Sequence, residues 1–149
     1  MGLSEEERDT IVKIRLQQAN ETYTEVGILI ENNLWRFAAN RLYYACYYAA
    51  SALMIQNGHQ AKSHSGLIGL FGLNFVQTGK ISADTALALR KLFELRQKGD
   101  YDVWVEIKPD MVLPLLEPAK KFIESVESIL FESNSRPTSQ CTKADWRSG

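Results

Sequence analysis

Histidine and cysteine are scarce in this chain, with two of each among 149 residues. Cys46 sits inside an aromatic run and Cys141 in a polar stretch, which makes neither a disulfide framework nor a zinc set. His59 and His64 are five residues apart with no acid or cysteine beside them, a poor spacing for metal ligands. Neither a metal nor a cofactor is expected. Walker motif, nucleophile elbow and a carboxylate pair at catalytic spacing are all missing. No apolar run approaches the ~18 residues that span a bilayer, and the first residues, Met-Gly-Leu-Ser-Glu-Glu-Glu, are acidic where a secretory signal is basic. A cytoplasmic protein without membrane association is the expectation. An excess of positive charge is also lacking: the net charge is -1, so a nucleotide or RNA site must be a local cluster. Nothing alternates at period two for long enough to predict a strand.

What remains is helical patterning. Ser4 and Glu7 form a capping box, and Val12, Leu16, Ala19, Tyr23, Val26 and Ile30 then mark one stripe of a long helix. Glu31-Asn32-Asn33 interrupts it. A second helix from Leu34 carries Phe37, Ala38, Arg41, Tyr44, Ala45 and Tyr48 and stops near Asn57-Gly58, a good left-handed cap. Ser63 can cap a third, with Leu67, Ile68, Phe71 and Phe75, ending at Gly79. Its Gly66, Gly69 and Gly72 share one face without the preceding strand of a dinucleotide turn, so close helix–helix approach is expected there. Ser82 opens a fourth helix that Gly99 ends, and residues 101–109 read as a loop. A fifth follows over about Asp110 to Glu132, with a late start or kink at Pro114 and Pro118. Short connections predict an all-α, four- to five-helix up-down antiparallel bundle over residues 1–132. Residues 133–149 read as a disordered polar tail in which Trp146 marks a small docking contact. Arg136, Lys143 and Arg147 against Asp145 give that tail +2, leaving -3 on the rest.

Two arginines interrupt the apolar stripes: Arg41 on the second helix and Arg96 on the fourth. A guanidinium keeps its charge, so burying one is costly unless it is paired and hydrogen-bonded. Asp100, four residues after Arg96, is the local partner. Two readings stand: a network of Arg41, Arg96, Asp100 and tyrosine hydroxyls bolting two helices together, or a polar pocket whose guanidinium forks suit phosphate. The run Tyr43-Tyr44-Ala45-Cys46-Tyr47-Tyr48 puts aromatics on two faces, as a central helix or a subunit interface would. Tyr44 is also a candidate for base stacking.

Asn40-Arg41-Leu42-Tyr43-Tyr44-Ala45-Cys46-Tyr47-Tyr48-Ala49-Ala50 resembles the second-helix signature of prokaryotic HEPN (higher eukaryotes and prokaryotes nucleotide-binding) domains. His64-Ser65-Gly66-Leu67-Ile68 with Phe71 and Phe75 is similar to their third helix, Leu92 to Tyr101 to their fourth-helix motif, and Ala119 to Ile123 to their closing helix. The resemblance spans about residues 5–132. It implies a homodimeric bundle, partnered by a nucleotidyltransferase of the MNT type in toxin–antitoxin pairs. It also implies a metal-independent ribonuclease motif, an arginine followed four to six residues later by a histidine. Arg96 supplies the arginine, but Tyr101, Asp102 and Val103 stand where the histidine belongs, and no histidine follows Arg96. A general acid/base that titrates near neutrality is therefore absent from the motif, which implies catalytic degeneracy. The catalytic candidates are Arg96, Tyr101 and His64. The candidates for nucleotide or RNA binding are Asn40, Arg41, Tyr44, Arg96, Asp100 and Tyr101. Alternatives are an active endoribonuclease toxin and a non-catalytic dimeric interaction module.

Overall fold

The computed structural model describes residues 3–135. The expected polar tail lies outside the described residues except for 133–135, which continue the last helix. The elements are α1 (Glu5–Glu31), α2 (Trp35–Gln56), α3 (His64–Phe71), a π-helical turn (Gly72–Val76), α4 (Ala83–Tyr101), the single turn α5 (Pro109–Val112), a 3-10 turn (Leu113–Leu115) and α6 (Leu116–Ser135). The described residues contain no strand. None of their helices is long and apolar enough to cross a membrane.

Side-chain pairs fix the helix directions. Asn20 Nδ2 donates to Glu127 Oε2 at 2.9 Å and the Tyr23 hydroxyl to the Leu116 carbonyl at 3.0 Å, so α6 descends as α1 rises. Asn40 meets Asp100 and Tyr44 meets Arg96, which sets α2 antiparallel to α4. The result is an up-down bundle with α2 at its centre. Twelve of the 22 residues of α2 are buried, and six of those are alanines, which let neighbouring backbones come close. Cys46 in that run is buried, with Sγ 3.8 Å from the Ala119 carbonyl of α6, so its thiol pKa is pushed up by desolvation.

The helix ends follow local chemistry. Ser4 Oγ accepts from the Glu7 amide at 3.0 Å and Glu7 returns a carboxylate to the Ser4 amide at 2.9 Å. Ser63 and Ser82 cap α3 and α4 through the hydroxyl alone, accepting from the Gly66 and Thr85 amides. Gly58 follows the end of α2 at φ +77°. At Pro114 the chain tightens into the 3-10 turn, because proline withholds the amide that an α-helix needs.

Two glycine expectations are corrected. Gly99 does not end α4, which continues to Tyr101; it is buried where Ile107 crosses, and a Cβ there would lie 3.2 Å from Ile107 Cγ1. The glycines of α3 mark no close helix approach either. A Cβ on Gly69 or Gly72 would meet nothing within 4 Å, and one on Gly66 would meet only its own cap, Ser63 Oγ, at 3.0 Å.

Phe122 is fully buried and its ring sits 5.4 Å from that of Phe71, joining α6 to α3. Phe122→Ala should cost about 3–5 kcal/mol of unfolding free energy, the range for an aromatic cavity. Urea denaturation checks this, with the midpoint falling at an unchanged slope.

Candidate functional site

α4 delivers Arg96 into the seam with α2. Leu92 and Leu95 bury that face of α4 and carry the guanidinium in with them, leaving Arg96 only 8% exposed. Arg96 Nη1 donates to the Tyr44 hydroxyl at 3.3 Å and lies 3.5 Å from Asp100 Oδ2. The guanidinium carbon sits 5.1 Å from the centre of the Tyr43 ring and 5.5 Å from that of Tyr44, so two electron-rich faces share its charge. Arg96 Nε is buried and has no hydrogen-bond partner among the described residues. A buried charged donor left unmade is costly, and such groups mark places where a further acceptor belongs.

The rest of the cluster extends toward solvent. Asn40 Nδ2 donates to Asp100 Oδ2 at 3.2 Å, and Arg41 donates to Asn40 Oδ1 through Nε and Nη2, each at 3.2 Å. Arg41 is therefore not the core guanidinium that the stripe of α2 implied. It is half-buried, lies over the ring of Tyr44 at 5.0 Å and joins the network through that ring and through Asn40. Asn40, Arg41, Tyr44, Arg96 and Asp100 are brought together. Tyr101 is not: it is 72% exposed beside Glu94, Lys98 and Trp104 in an open depression.

Two further groups complete the assembly. The Tyr43 hydroxyl is 2.7 Å from His64 Nδ1, which ties the start of α3 to α2. Tyr43 is fully buried, and burial drives its pKa well above the ordinary phenol value even though the Arg96 charge opposes the shift. The phenol therefore keeps its proton, and its hydroxyl pairs with Nδ1 as donor or as acceptor according to the tautomer of the neutral imidazole. His64 is held below the usual imidazole pKa, first by burial and then by the charge of Arg96. Sequence reasoning named His64 but missed its bridge, Tyr43, which it put on a different face from the Arg41 stripe. The spacing of three from Asn40 to Tyr43 was the available signal. Among the described residues, no three His, Cys, Asp or Glu side chains gather as metal ligands.

The HEPN domain family model matches residues 12–129. The chain is 31% identical to the UPF0332 protein of Thermotoga maritima over 124 residues, covering 83% of this chain and 94% of that one. It is 32% identical over 121 residues to a Methanocaldococcus jannaschii protein that carries the provisional name of toxin, covering 81% and 90%. A UPF0332 protein of Archaeoglobus fulgidus is 26% identical over 117 residues, covering 78% and 93%.

The His64 environment has a signed consequence. Because the folded pKa is lowered, the unfolded chain binds the proton more readily, beginning near pH 6.5. The contribution to stability is thus complete above that pH and is lost as pH falls toward the folded value. In thermal melts from pH 7.5 to 5.0, the wild type should lose stability more steeply than His64→Gln, which keeps an acceptor for Tyr43. Parallel slopes would remove this assignment.

Proposed function

The chain belongs to the HEPN domain family, and on that footing we propose that it binds a nucleotide or RNA at the Arg96 cluster as a catalytically degenerate member. In this reading it acts as a homodimer beside an MNT-type nucleotidyltransferase in a toxin–antitoxin-type pair. The observation that carries the reading is Arg96 Nε, a charged donor held in the seam with no acceptor among the described residues. A phosphate oxygen is the acceptor that a guanidinium fits best, because the planar fork presents paired N–H groups. Asn40, Arg41 and Tyr44 add an amide, a second guanidinium and an aromatic face toward solvent. The provisional toxin name of the Methanocaldococcus relative is in keeping with this assignment.

One observation favours a second reading, the active endoribonuclease. His64 is the imidazole that the motif after Arg96 lacks, and Tyr43 joins it to the same cluster. Incubating a defined RNA with wild type and His64→Gln in the presence of a chelator separates the two. Cleavage that depends on His64 would establish the second reading and sink the degenerate one.

Binding is tested with a short single-stranded RNA and a nucleotide panel, read by anisotropy and by thermal shift. Arg96→Ala should weaken binding by about 1.5–3 kcal/mol, on the order of ten- to a hundred-fold, for a lost charge-assisted contact. Arg96→Lys retains the charge but not Nε, and should recover only part of the loss. No binding by the wild type, or equal binding by Arg96→Ala, defeats the proposal and leaves Arg96 as a structural staple.

A further inference from the structure

A cavity of about 520 Å³ lies between α4 and the segment made by α3 and the π-helical turn. Phe71 and Leu89, each 1% exposed, close its floor, while Leu73 and Leu87 stand open at 54% and 42%. Ile68 and Val76 add to an aliphatic lining. The backbone holds this space open. At Gly72 the helix widens, the Gln77 amide donating five residues back to the Gly72 carbonyl at 2.9 Å. Side chains secure the wide turn: Asn74 Nδ2 donates to the Leu70 carbonyl and the Thr78 hydroxyl to the Asn74 carbonyl, each at 2.8 Å. Such turns gather at functional sites. Gly69 and Gly72, both on the lining, leave a gap, since a Cβ on either would meet nothing within 4 Å.

Charge and size say what fits. Arg90 is the one charged residue among those lining the cavity, and Gln77 the one other polar side chain. Among the described residues, the Arg90 guanidinium has neither a hydrogen bond nor an ion pair. It is the last residue of α4 on a lining that starts at Ala83, roughly 10 Å of helix away. A free cation thus stands at one end of an apolar trough. The volume falls within the ~300–1,000 Å³ of small-molecule clefts. A protein partner would have to cover about 1,200 Å² in total, whereas Leu73 and Leu87 are the only large apolar side chains exposed here. No tyrosine, tryptophan or histidine lines the space to stack on a flat ring. We propose that the cavity binds a linear aliphatic carboxylate, its chain lying between the π-helical turn and α4 along the glycine gap and its head held by the Arg90 fork. The site shares no residue with the Arg96 cluster, so the inference stands apart from the proposed function.

The test titrates the full chain with octanoate, decanoate and dodecanoate by calorimetry, below their micelle concentrations. Dodecyltrimethylammonium serves as the cationic counterpart. One site per chain is expected, tightening roughly four-fold per methylene until the cavity is full, the increment for burying a methylene. Dodecyltrimethylammonium should bind roughly five- to ten-fold more weakly than dodecanoate. Arg90→Gln should weaken dodecanoate roughly five-fold, the upper range for an exposed ion pair, and bring the two amphiphiles to similar affinity. Gly72→Leu fills the gap and should abolish saturable binding while the melting temperature holds or rises, because glycine is the poorer helix former. Gly69→Leu is the second blocking variant, and decides the matter if Gly72→Leu melts early. Absence of saturable binding by every chain length overturns the inference. So does binding that neither glycine variant reduces, or a wild type that takes the cationic amphiphile as tightly as the carboxylate.

Discussion

A charge that cannot be removed organises the seam between α2 and α4. A guanidinium stays protonated at any physiological pH, so the fold must accommodate Arg96 as a cation at 8% exposure. A single carboxylate does part of this, and at 3.5 Å from Nη1 Asp100 is a long, partly solvated partner. The faces of Tyr43 and Tyr44 supply the rest, which gives the tyrosine run of α2 a physical purpose beyond filling space. The same charge acts on neighbouring titrations, opposing the proton on Tyr43 and discouraging one on His64. Even the small residue at 99 belongs to this constraint. It lets Ile107 cross one turn beyond Arg96, beside Arg36 at the start of α2.

Most of the bundle was legible because helix boundaries are local events. Ser4 with Glu7, Ser63, Ser82 and Asn57-Gly58 each act within a turn of their own position, and sequence spacing reports such events directly. Arg96 with Asp100 was visible for the same reason, being an i,i+4 pair on one helix. The misreadings share a different cause. A glycine late in a helix serves equally as a left-handed cap or as a gap for a crossing chain, and only the position of Ile107 decides for Gly99. A row of glycines permits close packing without requiring it, as Gly69 and Gly72 show. Arg41 broke an apolar stripe, yet that stripe faces an open cavity rather than the core at that turn. The Tyr43–His64 bond spans 21 residues and two helices, so no single-helix periodicity could contain it.

The cluster's proton inventory bears on what it can do. Cleaving RNA with protein groups alone requires one to take a proton from the attacking hydroxyl and another to return one to the leaving oxygen. In the seam the near-neutral candidate is His64, and its Nδ1 is occupied by a phenol that burial keeps protonated. A protonated phenol both donates and accepts, so that bond serves either tautomer of the neutral imidazole and leaves Nε2 as the ring's free nitrogen. To take up a proton, the ring must gain a charge that burial and Arg96 both disfavour. Donors nevertheless outnumber carboxylates in the seam: the guanidinium of Arg96, with Nε unmade, and that of Arg41 stand against Asp100, whose Oδ2 already receives Asn40 and Arg96. An arrangement rich in donors and poor in free bases suits holding a phosphate better than activating the hydroxyl beside it. The histidine missing after Arg96 and the charge disfavoured on His64 both narrow the set of protons that this cluster can move.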